Sequence, residues 1–242
     1  YGHFSGARRL AGQAEGNISL FWFKYGWLWF IPLRDGTTSV GAVCTPEYLR
    51  TRDSTPSDFL LQTITLCPKL SARLENATLL TNATATGNYS YDSKQMTGDR
   101  YLMVGDAYAF VDPVFSSGVY LAMRSALLGA DVVEASLRDP AAIAGAKRRF
   151  EKSVRHGLQH FSWFIYRMTR PAMRTLFMAP RNWLRMREAV LSLLAGDLYR
   201  KTPIYASLLA FKLLYYFTSL MQAGATIRAW RANRRTLRAT QP

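Results

Sequence analysis

The residues of this sequence best placed to do chemistry lie close together. They are Gly105-Asp106 at the end of an apolar run, Asp112-Pro113 shortly after, and Ser116-Ser117-Gly118 beyond. A carboxylate at a strand end can accept hydrogen bonds from a chain of hydroxyls, and the glycine before it would let a ligand come close to the backbone. Small residues opening a helix leave the first backbone N–H groups, up to Val119, without helical partners at the positive end of the helix dipole. Such a nest suits an anion, or a ring that gathers negative charge. On residue types alone, Gly105 and Gly118 read equally well as simple turn glycines.

A second constellation is Trp27-Leu28-Trp29-Phe30-Ile31-Pro32. Alternate residues of a strand share a face, so Trp27 and Trp29 would stand side by side and could wall a cavity against water. Taken alone, two tryptophans at that spacing are ordinarily core. No metal site is expected: Cys44 and Cys67 are few and far apart, His3, His156 and His160 lie elsewhere, and the cysteines read as small buried apolar residues. Asn17, Asn76, Asn82 and Asn88 open Asn-X-Ser/Thr triplets, and nothing in the composition suggests the secretion that would give these meaning.

The elements that must position these residues change in character along the chain. Aromatic and branched runs predict strands over 18–23, 27–33 and 38–43, with turns at Gly26 and at Asp35-Gly36, the latter a strong hairpin cue. Pro56-Ser57-Asp58 opens a predicted helix carrying Phe59, Leu60, Ile64, Leu70 and Leu74 at helical spacing, divided or kinked at Pro68. Strands are expected over 78–91 and, as a buried run, over 100–104. A helix over 119–137 then presents Leu121, Leu128 and Val132 and stops at Asp139-Pro140. Beyond it the pattern is helical over 141–169, over 182–195 closed by Gly196, and from 204 to about 235.

Charge separates the chain more sharply than hydropathy does. Residues 1–144 hold 12 Lys/Arg against 13 Asp/Glu, whereas 145–242 hold 19 against 3, a net +16 that accounts for the whole excess. Such a surface favours an acidic partner, whether anionic lipid, nucleic acid or an acidic carrier domain. The run 204–221 is strongly apolar with Lys212 as its single charge, and Arg228, Arg231, Arg234, Arg235 and Arg238 follow. A charge at the centre of a spanning helix costs about 3 kcal/mol, so the expectation is packing against the rest of the chain, with an interfacial membrane helix as the alternative. No nucleic-acid partner is expected, because the arginines lie beyond the aromatics instead of interleaving with them.

The segment GDAYAFVDPVFSSGVYLAM resembles the second flavin-binding motif of the class A flavin monooxygenases and the flavin-dependent halogenases related to them. Trp27 to Pro32 is similar to the halogenase WxWxIP pattern. The resemblance spans nearly the entire chain, taking in the strand region, the Phe59 to Leu74 helix, the flavin motif and the helical stretch from Arg187 to Asp197. They imply an α+β fold, with a substrate-domain antiparallel sheet and helix over 1–98, the C-terminal part of a Rossmann-like FAD-binding domain over 99–140, and a basic helical region over 141–242.

The resemblance further implies that Asp106 bonds the ribityl chain of FAD and that Gly105 and Pro113 lie close to the flavin. Ser116 would belong to the cofactor site, and the amides around Ser117, Gly118 and Val119 would face the pyrimidine edge of the ring. Halide, chloride or bromide, would rest on the amides of Ser117 and Gly118, and Trp27 and Trp29 would wall the active site. A separate flavin reductase would supply reduced FAD, and a C4a-hydroperoxide would oxidise halide to hypohalous acid, relayed through a lysine. That lysine and the GxGxxG phosphate loop belong to an N-terminal portion of the family that this chain is expected to lack; neither is found, and an isolated chain should be inactive. Phe115-Ser116-Ser117 stands where halogenases of free tryptophan carry Glu-Ser-Thr. This resembles the phenol and pyrrole branch, whose aromatic substrates are often tethered to an acidic acyl carrier protein. Hydroxylation of an aromatic substrate, or a non-catalytic membrane-associated role, remain open alternatives. The setting implied is cytoplasmic, with peripheral membrane contact through 203–242 as the variant.

Overall fold

The order of the strands in the first eighty residues follows from two tight hairpins. β1 (Gly2–Ser5), β2 (Ser19–Phe23), β3 (Gly26–Pro32) and β4 (Thr38–Cys44) are joined by α1 (Pro46–Leu49), α2 (Pro56–Thr65) and α3 (Pro68–Arg73) to β5 (Thr78–Leu79) in a computed structural model of the chain. The description covers residues 1–87, 90–168, 170–178, 182–197 and 205–239, with side chains as far as 224. The chain forms two compact units, Tyr1–Gly87 and Asn88–Pro242, each described in its own frame.

In the first unit the sheet order is β2-β3-β4-β1-β5, antiparallel throughout. Lys24 and Tyr25 turn β2 into β3, and the Asp35-Gly36 cue is realised between β3 and β4. There the Asp35 carboxylate accepts from Thr37 N at 2.9 Å and from Thr37 Oγ1 at 2.7 Å, bonds that hold its pKa below the ordinary carboxylate value. Leu28 and Phe30 of β3, Phe4 of β1 and Val40 of β4 pack on Leu60 and Ile64 of α2 and Leu70 of α3, forming one core face. α2 begins where Thr55 caps it, its hydroxyl accepting from Asp58 N and donating to the Asp58 carboxylate, and it is divided from α3 at Pro68 as expected.

The strand expected over 78–91 is a correction. Only Thr78–Leu79 pairs with β1; Leu80 is half exposed, and residues 81–87 are threonine, asparagine, alanine and glycine, of which Ala83 alone reaches the core, so the apolar alternation a strand needs is missing.

The second unit holds β6 (Tyr91–Asp92), β7 (Thr97–Gly98), β8 (Tyr101–Leu102) and β9 (Ala109–Phe110), followed by α4 (Gly118–Arg138), α5 (Ile143–Ile165), α6 (Pro171–Met178), α7 (Met186–Leu194) and α8 (Tyr205–Ala239). The run 100–104, expected as a buried strand, is instead the return arm of a two-residue hairpin. Asp99 and Arg100 turn β7 into β8, Arg100 taking φ +59°, and Tyr101 is exposed. Met96, Tyr108, Val132, Phe150 and Val154 make the core between this hairpin region, α4 and α5. α4 ends at Asp139, whose carboxylate caps Ala141 N at 3.1 Å, and α5 stops at Ile165, short of the expected 169, which lies outside the described residues, as does 204. Sequence periodicity did not separate α6, which Pro171 opens.

The apolar run after 204 forms α8, and Leu208, Phe211 and Tyr215 bury one side of it where it meets α6 and α7. Among the described residues no helix is long and apolar enough to cross a membrane. The five arginines from Arg228 to Arg238 have side chains outside the described residues.

Candidate functional site

The loop from Gly105 to Gly118 is held from three sides within the second unit. Gly105 takes φ +53°, and a methyl group added there would stand 2.7 Å from Ala122 Cβ and 3.0 Å from Ala122 Cα on α4. One close approach that demands glycine here is therefore that of a helix, a contact the sequence did not suggest. Gly105 N donates to Ser125 Oγ at 2.8 Å, and that hydroxyl donates in turn to Leu121 O at 2.8 Å, so the buried Ser125 ties the loop to α4. A cavity of about 10 Å³, the size of one water, lies beside Gly105, Tyr108, Leu121 and Ser125. Asp106 follows in a single helical turn with its carboxylate exposed, while its carbonyl accepts from Tyr91 Oη.

Further along, Asp112 turns inward on its own backbone, accepting from Val114 N at 3.0 Å, so Pro113 begins a tight turn. Val114 is buried, and Phe115 packs against Phe164 of α5 and Phe177 of α6 at ring-centre distances of 5.5 and 6.2 Å. Ser116 takes the left-handed conformation that aims the chain into α4. Ser117 is buried at the N-cap, but its side chain does not cap the helix, so the first-turn amides of Gly118 and Val119 stand at the positive end of a 21-residue helix. A methyl group on Gly118 would meet nothing within 4 Å, and Val119 is 72% exposed: the space in front of this helix start is open.

The start of α4 is fixed from behind by a residue that sequence reasoning treated only as a helix terminator. Gly196, after α7, takes φ +85°, and an added methyl group would stand 2.3 Å from the Tyr120 ring. Tyr120 Oη donates to Gly196 O. A glycine closing a helix gives no hint of the ring it must clear; Ser125, one of two serines in α4, was equally silent.

In the first unit, Trp27 and Trp29 share the face of β3 opposite Leu28 and Phe30, with ring centres 5.8 Å apart. Trp27 is buried; Trp29 is half-buried, donates from Nε1 to Ser39 Oγ at 3.2 Å and lies across Gly41, where an added methyl group would come within 2.3 Å of its ring. Behind the same strand the Arg73 guanidinium stacks 3.6 Å from the Phe30 ring centre and donates to Arg8 O and Ser19 Oγ; burial draws its pKa below the ordinary arginine value. The two motifs lie in different units, and each keeps its own local geometry. Among the described residues no group of three or more His, Cys, Asp or Glu could hold a metal ion.

The sequence model of the tryptophan halogenase family matches residues 19–175, a stretch that takes in both the tryptophan strand and the Gly105 loop. The chain belongs to that family. This halogenase-family chain is 36% identical over 155 residues to the tryptophan 2-halogenase of Chondromyces crocatus, a match covering 63% of the chain and 30% of that protein. It is 32% identical over 174 residues to the 1H-pyrrole-2-carbonyl-[peptidyl-carrier protein] chlorinase of Pseudomonas fluorescens, covering 72% of the chain and 38% of that protein. Among solved structures, the myxobacterial chondrochloren halogenase CndH, described as a new variant of FAD-dependent halogenases, superposes with a TM-score of 0.64 at 33% identity. That match covers 85% of this chain and 50% of CndH. The halogenase-family chain thus spans between about a third and a half of the length of these proteins, and it shares its α+β architecture with CndH.

The family implies a flavin and a halide, and the residues present fit both in kind. An exposed carboxylate at Asp106 suits hydroxyls, and uncapped first-turn amides facing open space at Gly118 suit a negatively charged ring edge or a small anion.

Proposed function

We propose that this chain carries part of the FAD and halide sites of a cytoplasmic flavin-dependent halogenase acting on an aromatic substrate, phenolic or pyrrolic. The observation that supports it most directly is the uncapped, unobstructed N-terminus of α4, next to a loop whose glycine and serine contacts fix its position. In this reading the Asp106 carboxylate accepts from ribityl hydroxyls, and Gly105 holds the turn that presents it. Pro113 and Ser116 shape the approach to the ring, and the amides of Ser117, Gly118 and Val119 meet its pyrimidine edge. Chloride or bromide rests on the amides of Ser117 and Gly118. Bound FAD, reduced by a separate reductase, supplies the activation of dioxygen that halide oxidation requires. Trp27 and Trp29 line the aromatic site and exclude water from it. By the same reading residues 1–98 belong to the substrate domain, 99–140 to the FAD domain and 141–242 to a basic helical region.

No glycine pair spaced by one residue occurs in the chain, so it contains no dinucleotide phosphate loop of the GxGxxG kind. Tight FAD binding and the halogenating lysine are assigned to the additional length seen in the relatives. The carrier-tethered substrate of the pyrrole chlorinase, set beside the +16 charge of residues 145–242, supports an acidic acyl carrier protein as substrate donor.

The test supplies the protein, in its full natural length, with reduced FAD, oxygen and bromide. A brominated product from an aromatic acid on its matching carrier, lost on Asp106→Ala, is expected. Hydroxylated product without bromination would replace this reading with a monooxygenase, and absence of FAD binding would leave a non-catalytic relative.

A further inference from the structure

A helix exposed on one side ordinarily carries polar residues there. α8 does the reverse. Over 205–223 every residue on its water-facing side is apolar or aromatic, with Leu213 at 63%, Phe217 at 62%, Leu220 at 74% and Met221 at 65% exposure, while Leu208, Phe211 and Tyr215 bury the opposite side. At 1.5 Å per residue the outer face runs for about 25 Å. No element among the described residues covers it.

The rim of this face is cationic and aromatic. Lys212, half-buried, has its ammonium 5.0 Å from the Trp163 ring centre, and the Arg167 guanidinium lies 4.6 Å from the same ring. Tyr216 Oη accepts from Trp163 Nε1 at 3.0 Å and from Arg167 at 3.4 Å. Among the described residues neither cation has a carboxylate at salt-bridge distance. Burial and the neighbouring arginine lower the pKa of Lys212, and on α5 the His156 ring is held below its ordinary pKa by burial, His160, Lys212 and Lys152. The whole region from 145 carries 19 basic against 3 acidic residues.

We infer that the outer face of α8, rimmed by Trp163, Arg167, Lys212 and Tyr216, is a docking surface for an anionic lipid bilayer, with the helix lying in the interface plane. This stands apart from the halogenation reading. Leu213, Phe217 and Leu220 enter the acyl boundary, and the indole and phenol sit at headgroup level. The two cations, stacked on rings at the edge of the apolar face and without a carboxylate partner among the described residues, meet lipid phosphates. A second copy is a poor occupant, because it would bring two +16 regions together. An acidic protein would be gripped through exposed guanidinium and ammonium groups; here the exposed side chains are hydrocarbon.

The test is co-sedimentation of the chain with phosphatidylserine/phosphatidylcholine vesicles, with pure phosphatidylcholine as reference. Binding to the anionic vesicles at least tenfold tighter is expected, weakened several-fold by 0.5 M salt and more than tenfold by Leu213→Glu with Phe217→Glu. Both residues are largely exposed, so the variant should keep its helical circular dichroism. Leu137→Glu, on the exposed side of α4, should bind as the unaltered chain does. Equal partition of the double variant and the unaltered chain, or equal loss in Leu137→Glu, overturns the inference. So does a dimer in solution that the double variant dissolves, or capture of an acidic carrier protein through this face in place of vesicles. Failure of a longer natural form to bind vesicles that this chain binds would assign the face to an intramolecular contact, and would overturn it as well.

Discussion

Gly105→Ala separates the two demands placed on this position. The residue sits at φ +53°, where an L side chain costs about 1–2 kcal/mol. The new methyl group also arrives 2.7 Å from Ala122 Cβ and 3.0 Å from Ala122 Cα, and the second is helix backbone that cannot rotate aside. Overpacking of that kind costs about 1–3 kcal/mol, giving about 2–5 kcal/mol in all. Relief means moving the loop away from α4, which also stretches the 2.8 Å bond from Gly105 N to Ser125. Pairing the change with Ala122→Gly removes the nearer contact. That substitution alone should cost about 1 kcal/mol in helix propensity, so the double variant should recover about 1–2 kcal/mol relative to the sum of the single changes. Urea unfolding of the four proteins, followed by far-ultraviolet circular dichroism, measures the coupling. Loss below about 1 kcal/mol in Gly105→Ala, or additivity in the double variant, would refute the argument that the glycine answers to α4.

Gly196→Ala forces the Tyr120 ring to move and strains a left-handed turn, so a loss of at least about 2 kcal/mol is expected, against about 1 kcal/mol for Tyr120→Phe, both read by urea unfolding. Asp106→Asn should weaken FAD binding by the full-length protein roughly tenfold or more, measured by fluorescence titration, since a charge-assisted acceptor becomes a neutral one. Gly41→Ala should displace the Trp29 ring and change the intrinsic fluorescence of the folded chain. Burial pushes the Cys44 thiol up from near 9 to about 11. Iodoacetamide at pH 9 should therefore modify Cys44 about fiftyfold more slowly than a peptide thiol. The sign for stability follows. A folded-state pKa raised above the unfolded one gives a contribution complete below pH 9 and lost as pH rises toward 11, so denaturant midpoints should fall over that window.

The parts of the fold legible in the sequence are those decided by short-range rules. Asp35-Gly36 specified its hairpin, Pro56-Ser57-Asp58 started α2, and Pro68 divided it, because each acts on its own backbone. Misreadings arose where the deciding partner is remote. The run 100–104 has the composition of a buried strand, yet two residues of turn at Asp99-Arg100 fold it onto β7, and periodicity has no term for the absence of further neighbours. The same distinction divides the candidate site. Asp106 and the small residues at the start of α4 announce themselves by type. What holds them in place is Ser125 twenty residues on and Gly196 beyond α7, residues whose types are common and whose meaning lies in the atoms they approach. Gly105 belongs to both groups. Its type was legible, as a turn glycine or one that lets a ligand approach, but the contact with α4 that also demands it was not. A motif can therefore be read from residue types while a force that maintains one of its residues stays hidden. At such a position, substitution will register first as lost stability and only through it as lost binding.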